Sequence, residues 1–170
     1  MPHRSRPAID RRTPAHVTWR VREDVWNLCS RRSFRVIVRA LGAVSRRDGL
    51  RVTHFAVLGN HLHLIVEADD AHAFVRGMKA LAIRLAKGLN AMMGRRGALF
   101  RDRYHVHVLR TPTEVLRAIR YVLGNAAIHA RRQGRHDRTR PDRFAAGPGL
   151  NDGPAATWRP FAEQGPPISP

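Results

Sequence analysis

Residues 51–67 read Arg-Val-Thr-His-Phe-Ala-Val-Leu-Gly-Asn-His-Leu-His-Leu-Ile-Val-Glu. Val52 to Leu58 and Leu62 to Val66 are rich in apolar and β-branched residues, the composition of strands, and Gly59-Asn60 between them has the composition of a tight turn. The stretch is therefore expected to be a β-hairpin. Side chains alternate between faces along a strand. His61 and His63 then share one face and Leu62 takes the other. Two imidazoles on one face of a rigid strand can share a divalent cation, though they can equally be two ordinary strand histidines. A second constellation far along the chain, Tyr121 and Asn125, favours the site.

Upstream of the hairpin, His16 to Val21 has the pattern of a first strand. Asp24 to Asp48 is helical in period: Phe34, Ile37 or Val38, Leu41 and Val44 recur every three or four residues, with Arg31, Arg32, Arg35, Arg39, Arg46 and Arg47 between them. Gly49 ends that helix.

Downstream, Asp69 and Asp70 place negative charge where a helix dipole favours it. The next helix runs to about Met93, buries Phe74, Met78, Leu81, Leu85, Leu89 and Met92, and carries Arg76, Lys79, Arg84 and Lys87 mostly off that stripe. A basic loop from Gly94 to Gly97 contains Arg95 and Arg96. Leu99 to Leu109 contains a strand in which Tyr104, Val106 and Val108 alternate with His105 and His107. Thr111-Pro112-Thr113-Glu114 is a helix start, with Thr111 as N-cap, Pro112 in the first turn and Glu114 as the reciprocal partner of a capping box. This last helix reaches about Arg131 with a core stripe of Val115, Ile119, Val122 and Ala126.

The order strand, helix, strand, strand, helix, strand, helix predicts an α+β protein. Its first six elements match the ferredoxin-like arrangement, an antiparallel sheet with helices on one face, to which a C-terminal helix is added. Strands one and four are expected beside the hairpin. The added helix is expected to pack on this sheet or on that of a second subunit. Residues 1–13 read as a basic flexible arm, 14–132 as the folded domain, and 133–170 as an irregular tail whose Trp158 and Phe161 can dock.

The 170 residues carry 31 Lys and Arg against 13 Asp and Glu, a net charge of +18. A codon bias explains Arg over Lys but not the shortage of acids, so the balance calls for a polyanion. Arginine suits phosphate because its fork binds two oxygens. No apolar run is long enough to span a bilayer, and the basic N-terminus lacks the apolar core of a signal peptide. Nucleic acid in the cytoplasm is the expected setting, with no membrane partner. Cys29 is the only cysteine, which excludes an intramolecular disulfide and is expected to be a packing residue.

Tyr121 and Asn125 lie four apart on the last helix and share a face, with Arg117 one turn earlier. A tyrosine hydroxyl with a pKa near ~10 is a poor nucleophile. A divalent metal can compensate by polarising a phosphoryl oxygen and holding the phosphate in line. His61, His63 and the Asn125 carboxamide oxygen would supply three mixed ligands, which suits Mg²⁺ or Mn²⁺. Attack by Tyr121 would form a covalent phosphotyrosine, which keeps the energy of the broken phosphodiester for rejoining a strand.

His61-Leu62-His63 after Asn60 resembles the His-hydrophobe-His motif of the HUH single-strand nucleases. Leu99-Phe100-Arg101-Asp102-Arg103-Tyr104 and Tyr121-Val122-Leu123-Gly124-Asn125 resemble two further blocks of the REP-associated tyrosine transposases. The resemblance covers roughly 14–132. It implies a ferredoxin-like fold, a dimer, single-stranded or hairpin DNA as substrate, Tyr121 as nucleophile and Asn125 as third metal ligand. Tyr104 is the competing nucleophile; as a strand residue it is read instead as a DNA contact, with Arg95, Arg96, Arg101, Arg103 and Arg117.

The function expected is a metal-dependent single-strand DNA endonuclease and strand transferase. The alternative is a non-catalytic nucleic-acid-binding protein domesticated from a transposase. A two-histidine phosphoesterase needs paired His-x-Thr/Ser motifs; His16-Val17-Thr18 is one, and His61-Leu62-His63 is not a second.

Overall fold

The computed structural model describes residues 9–10, 13–45, 49–132 and 145–146, with 125–132 and 145–146 described by their backbone alone. The basic arm before residue 9 and most of the tail, including Trp158 and Phe161, lie outside the described residues. The elements are β1 (Ala15–Arg20), α1 (Arg31–Ser45), β2 (Leu50–Val57), β3 (His61–Ala68), α2 (Ala71–Met93), β4 (His105–Val108), α3 (Pro112–Arg132) and β5 (Ala145–Ala146).

The expected hairpin is β2–β3, closed where the Leu58 N–H donates to the His61 carbonyl at 2.9 Å. The sheet runs β4-β1-β3-β2-β5, with all pairs antiparallel. This is the ferredoxin-like order. One detail differs from expectation: β4 pairs with β1 at the far edge and is not paired with the hairpin. The two residues of β5, inside the segment read as irregular, pair with Phe55 and Ala56 of β2.

The helix ends follow their local chemistry. The Asp70 carboxylate accepts from Ala73 N at 2.7 Å and caps α2. Gly94 ends α2 at φ 66°, left-handed backbone that glycine adopts without steric cost. The α3 box forms as read: Glu114 N donates to Thr111 Oγ1 at 3.2 Å, and the Glu114 carboxylate accepts from Thr111 N at 3.3 Å and Arg110 N at 2.6 Å. Helix α1 starts seven residues later than its periodicity suggests. Ser30 caps it, with Oγ accepting from Ser33 N at 3.0 Å. The Asn27 side chain bonds Cys29 N at 2.9 Å. Such local side-chain bonds compete with helix for the backbone of residues 22–30.

Helices α1 and α2 close one face of the sheet. Val17, Trp19, Val52, Phe55, Val57, Leu62, Leu64 and Val66 meet Ile37, Leu41, Met78, Leu81 and Leu85 in the main core. The approach is close enough that a Cβ on Gly77 of α2 would lie 2.6 Å from the Leu50 side chain. A bulge between Val52 and His54 shifts the β2–β3 register. The extra residue lets Val52 and Phe55, three apart, both face this core.

The alternate residues, His16, Thr18, His54, Ala56, His61, His63 and Ile65, form the opposite face. Helix α3 packs there, on its own sheet, through Ala118 and Val122 against Ala56, Ile65 and Leu109, with Val115 and Ile119 partly buried alongside. Ala126 of the expected stripe lies where side chains are not described. Among the described residues no helix is long and apolar enough to cross a membrane.

Candidate active site on the open face of the sheet

Strand pairing assembles the histidines. Thr18 of β1 stands directly across from His63 of β3, and His16 across from Ile65, so His16 is a diagonal neighbour of His63 on the same face. The His63 side chain is buried, 4% exposed. Its Nδ1 lies 3.1 Å from His16 Nε2 and 3.2 Å from Thr18 Oγ1. The His61 ring centroid is 4.9 Å from that of His63, and the His61 Nδ1 lies 2.7 Å from Asn60 Oδ1. Burial, and then the charge of His107, holds the His16 imidazole below the usual histidine range.

Tyr121 completes the group from α3. It lies three residues after the buried Ala118 and flanks the stripe that holds the helix to the sheet. Its ring stands edge-on to His63 at 5.4 Å and to His16 at 5.8 Å, while 52% of the residue is exposed. A tyrosine so placed is open to a substrate yet touches the histidine pair. Asn125 is one helical turn further along α3, and its side chain lies outside those described.

The competing tyrosine is on the other side of the sheet. Tyr104 packs edge-on against Trp19 at 5.2 Å and Phe74 at 5.9 Å, at the border of the main core. Its block is pinned along the end of β1: Arg101 N donates to Arg20 O at 3.1 Å, and Phe100 stacks on Trp19 with centroids 3.7 Å apart.

The arginines read as DNA contacts divide. Arg96, Arg101, Arg103 and Arg117 are exposed. Arg101 makes surface ion pairs with Glu23 at 3.6 Å and Asp102 at 3.7 Å. Arg95 is different. Its guanidinium donates to Asp24 Oδ2 at 2.6 Å, to Asn90 Oδ1 at 2.7 Å and to the Ala98 carbonyl, and only 13% of its side chain is exposed. Those bonds tie the 94–98 loop to the loop before α1.

Among the described residues no three His, Cys, Asp or Glu side chains come together to hold a metal ion. His16 is near enough by position, but its Nε2 addresses His63 Nδ1. The pair His61 and His63 fits a cation as two nitrogen donors on one face, with the remaining ligands to come from another group type, such as the carboxamide of Asn125. In the sequence, His16 and Thr18 stand out only as a first-strand His-x-Thr motif without a second. The alternation within β1 marks both as sharing a face, but only the β1–β3 pairing brings that face to His63.

Taken together, the architecture is a ferredoxin-like sheet with an extra helix across its open face that sets a half-exposed tyrosine over a histidine pair. No protein-family model and no curated protein matches the chain. Solved structures do. The chain is 16% identical to a REP-associated tyrosine transposase solved bound to a REP hairpin, with a TM-score of 0.66 over 85% of this chain and 82% of that one. It is 17% identical to a putative transposase from Deinococcus radiodurans R1, with a TM-score of 0.49 over 80% of this chain and 98% of that one. The chain has the fold of the REP-associated tyrosine transposase, as its three sequence blocks suggested.

Proposed function

We propose that the chain is a transposase-like single-strand DNA endonuclease and strand transferase with Tyr121 as nucleophile. The observation that supports this best is the half-exposed Tyr121 ring against His63 and His16. The likeness of fold to a transposase bound to a DNA hairpin supports the substrate class.

In the proposed reaction the Tyr121 oxygen attacks the phosphorus of a single-stranded segment. A P–O bond to Tyr121 forms as the P–O bond to one flanking sugar breaks, and the sugar oxygen leaves with a proton. The phenolic proton is lost on attack. Reversal with a different sugar hydroxyl transfers the strand and restores the tyrosine. His61, His63 and Asn125 would hold Mg²⁺ or Mn²⁺, which would supply Lewis-acid polarisation of the phosphoryl oxygen. The protein's own part is positioning. Helix α3 is clamped by Ala118 and Val122, so the tyrosine is held over the sheet without ordering at the moment of reaction. Exposed Arg96, Arg101, Arg103 and Arg117, with the net charge of +18, would track the DNA backbone. The proposal includes hairpin or single-stranded DNA as partner, a homodimer as assembly and the cytoplasm as compartment.

The test is a denaturing gel of protein incubated with labelled hairpin oligonucleotides carrying single-stranded flanks, with and without Mn²⁺. The wild type should give a shifted band, dependent on the metal and absent in Tyr121→Phe. Salt-sensitive binding without an adduct on any such substrate would favour the non-catalytic nucleic-acid-binding protein.

A further inference from the structure

A neutral imidazole carries one N–H and one lone pair, and the partner of one nitrogen decides which nitrogen keeps the proton. A metal takes the lone pair. The tautomer of each candidate ligand therefore decides which of its nitrogens can coordinate, and both histidines of this site have a built partner on the same nitrogen. His61 Nδ1 lies 2.7 Å from Asn60 Oδ1. A carboxamide oxygen only accepts, so this contact favours the proton on His61 Nδ1. Asn60 is itself anchored, because its carbonyl accepts from Val21 N at 2.9 Å. His63 Nδ1 faces two groups that can each accept or donate, His16 Nε2 at 3.1 Å and Thr18 Oγ1 at 3.2 Å, and either one accepting would place the proton on His63 Nδ1. Both come from β1, and the antiparallel register sets Thr18 opposite His63.

We propose that Asn60 for His61, and His16 with Thr18 for His63, are positioning residues that hold the proton on Nδ1 of both histidines and so commit both Nε2 lone pairs to one divalent cation. This rests on the proposed function for the cation, but the contacts exist without it. It also gives His16-Val17-Thr18 a use: the pair serves the histidine of the neighbouring strand and is not half of a second catalytic motif. Partners of this kind set ring orientation and ligand basicity, and losing one commonly weakens metal binding by about 10- to 100-fold.

Two measurements test the proposal, neither of which needs catalysis. Long-range ¹H–¹⁵N NMR of metal-free protein labelled at histidine reads the tautomers directly. The wild type should show Nδ1–H at His61 and His63. Asn60→Ala should release His61 alone to the Nε2–H form that free imidazole side chains prefer, and the double variant His16→Phe/Thr18→Val should release His63 alone. Titration with Mn²⁺ alone should show each of these variants binding roughly 10- to 100-fold more weakly than the wild type. His16→Gln, which returns an acceptor at the reach of the imidazole Nε2, should bind within a few-fold of the wild type. A merely structural role for His16 predicts no such rescue and no tautomer change.

Nε2–H at both histidines in the wild type overturns the proposal. So does Mn²⁺ affinity unchanged in Asn60→Ala and in the double variant. Asn60 lies on an exposed turn, so Asn60→Ala keeps the test decisive if the strand variants fail to fold. Nδ1–H tautomers in a wild type that takes up no Mn²⁺ would instead overturn the metal-dependent function and leave the positioning contacts standing.

Discussion

The face of the sheet under α1 and α2 and the face under α3 are built from the same strands, yet they bury different things. The first meets two long helices and seals Trp19, Phe55, Leu62, Leu64 and Val66 in one continuous core. The second meets one helix that, among the described residues, contributes Ala118 and Val122 to a cluster of five buried residues. Among the described residues, the rest of that face carries His16, Thr18, His54, His61, His63, His105 and His107. The difference teaches where stability and chemistry lie. Apolar burial at roughly 25 cal/mol per Å² accumulates on the first face. The second gives up part of that burial and keeps imidazoles and a phenol within reach of one another, the phenol half exposed to solvent. The two tyrosines of the chain fall one on each side of this division.

That division is broken most sharply by the tyrosines. Tyr121→Phe should abolish the covalent protein–DNA adduct and leave the melting temperature within a degree or two. Tyr104→Phe should keep the adduct, because its ring packs against Trp19 and Phe74 and not the histidines. An adduct that survives Tyr121→Phe and disappears in Tyr104→Phe would reverse the assignment of the faces. The next effect in size is on stability. Leu64→Ala opens a cavity in the main core at a fully buried position and should cost about 2–5 kcal/mol in urea unfolding. A cost below about 1 kcal/mol would mean that this face is not the main source of stability.

Val122→Ala tests the other core. Removing two buried methyl-sized groups from the α3 contact should cost about 1–2 kcal/mol. Adduct yield should fall by more than the lost global stability explains, because it is α3 that loosens. Equal loss of adduct in Leu64→Ala and Val122→Ala, at matched fraction folded, would merge the two regions into one.

A smaller effect sharpens the surface. Arg103→Ala should reduce the log–log salt slope of single-strand binding by ~0.7, the loss of about one phosphate contact. Arg95→Ala should leave that slope alone and lower thermal stability, since its guanidinium is spent on Asp24 and Asn90. The smallest effect is at the α3 cap. Thr111→Ala should cost about 1 kcal/mol. The N–H groups of Arg110 and then Thr111 hold the Glu114 carboxyl below the ordinary glutamate range. The depressed folded pKa means that its contribution is complete above the unfolded pKa and is lost as pH falls through the folded one. The wild type should therefore lose more stability than Glu114→Gln between pH 5 and the acid limit. Parallel pH profiles would remove Glu114 from the cap.

Several features were legible because they are local. The hairpin around Gly59-Asn60 rests on strand and turn composition, α2 on its period and on Asp70 and Gly94, and the start of α3 on a capping box that forms as read. Interactions within three or four residues of chain set these elements, and sequence carries such information directly. The start of α1 was misread because side-chain bonds at Asn27 and Ser30 outcompete a helical period that runs on through them. Arg95 and Arg96 look alike in sequence, yet only the folded chain brings Asp24 to Arg95.

The sequence by itself determined which residues share a face: His61 with His63 by strand alternation, and Tyr121 with Asn125 by helical spacing. It also determined the order of elements, and with it the ferredoxin-like class. Only the tertiary structure decided which faces meet. The β1–β3 register put His16 and Thr18 on His63 Nδ1 across some forty-five residues of chain. The packing of α3 on the open face brought Tyr121 there and left Tyr104 on the far side. The reason is physical. Periodicity constrains the direction of a side chain relative to its own element, whereas pairing register and helix docking are settled by burial summed over the whole sheet, which no short window of residues contains.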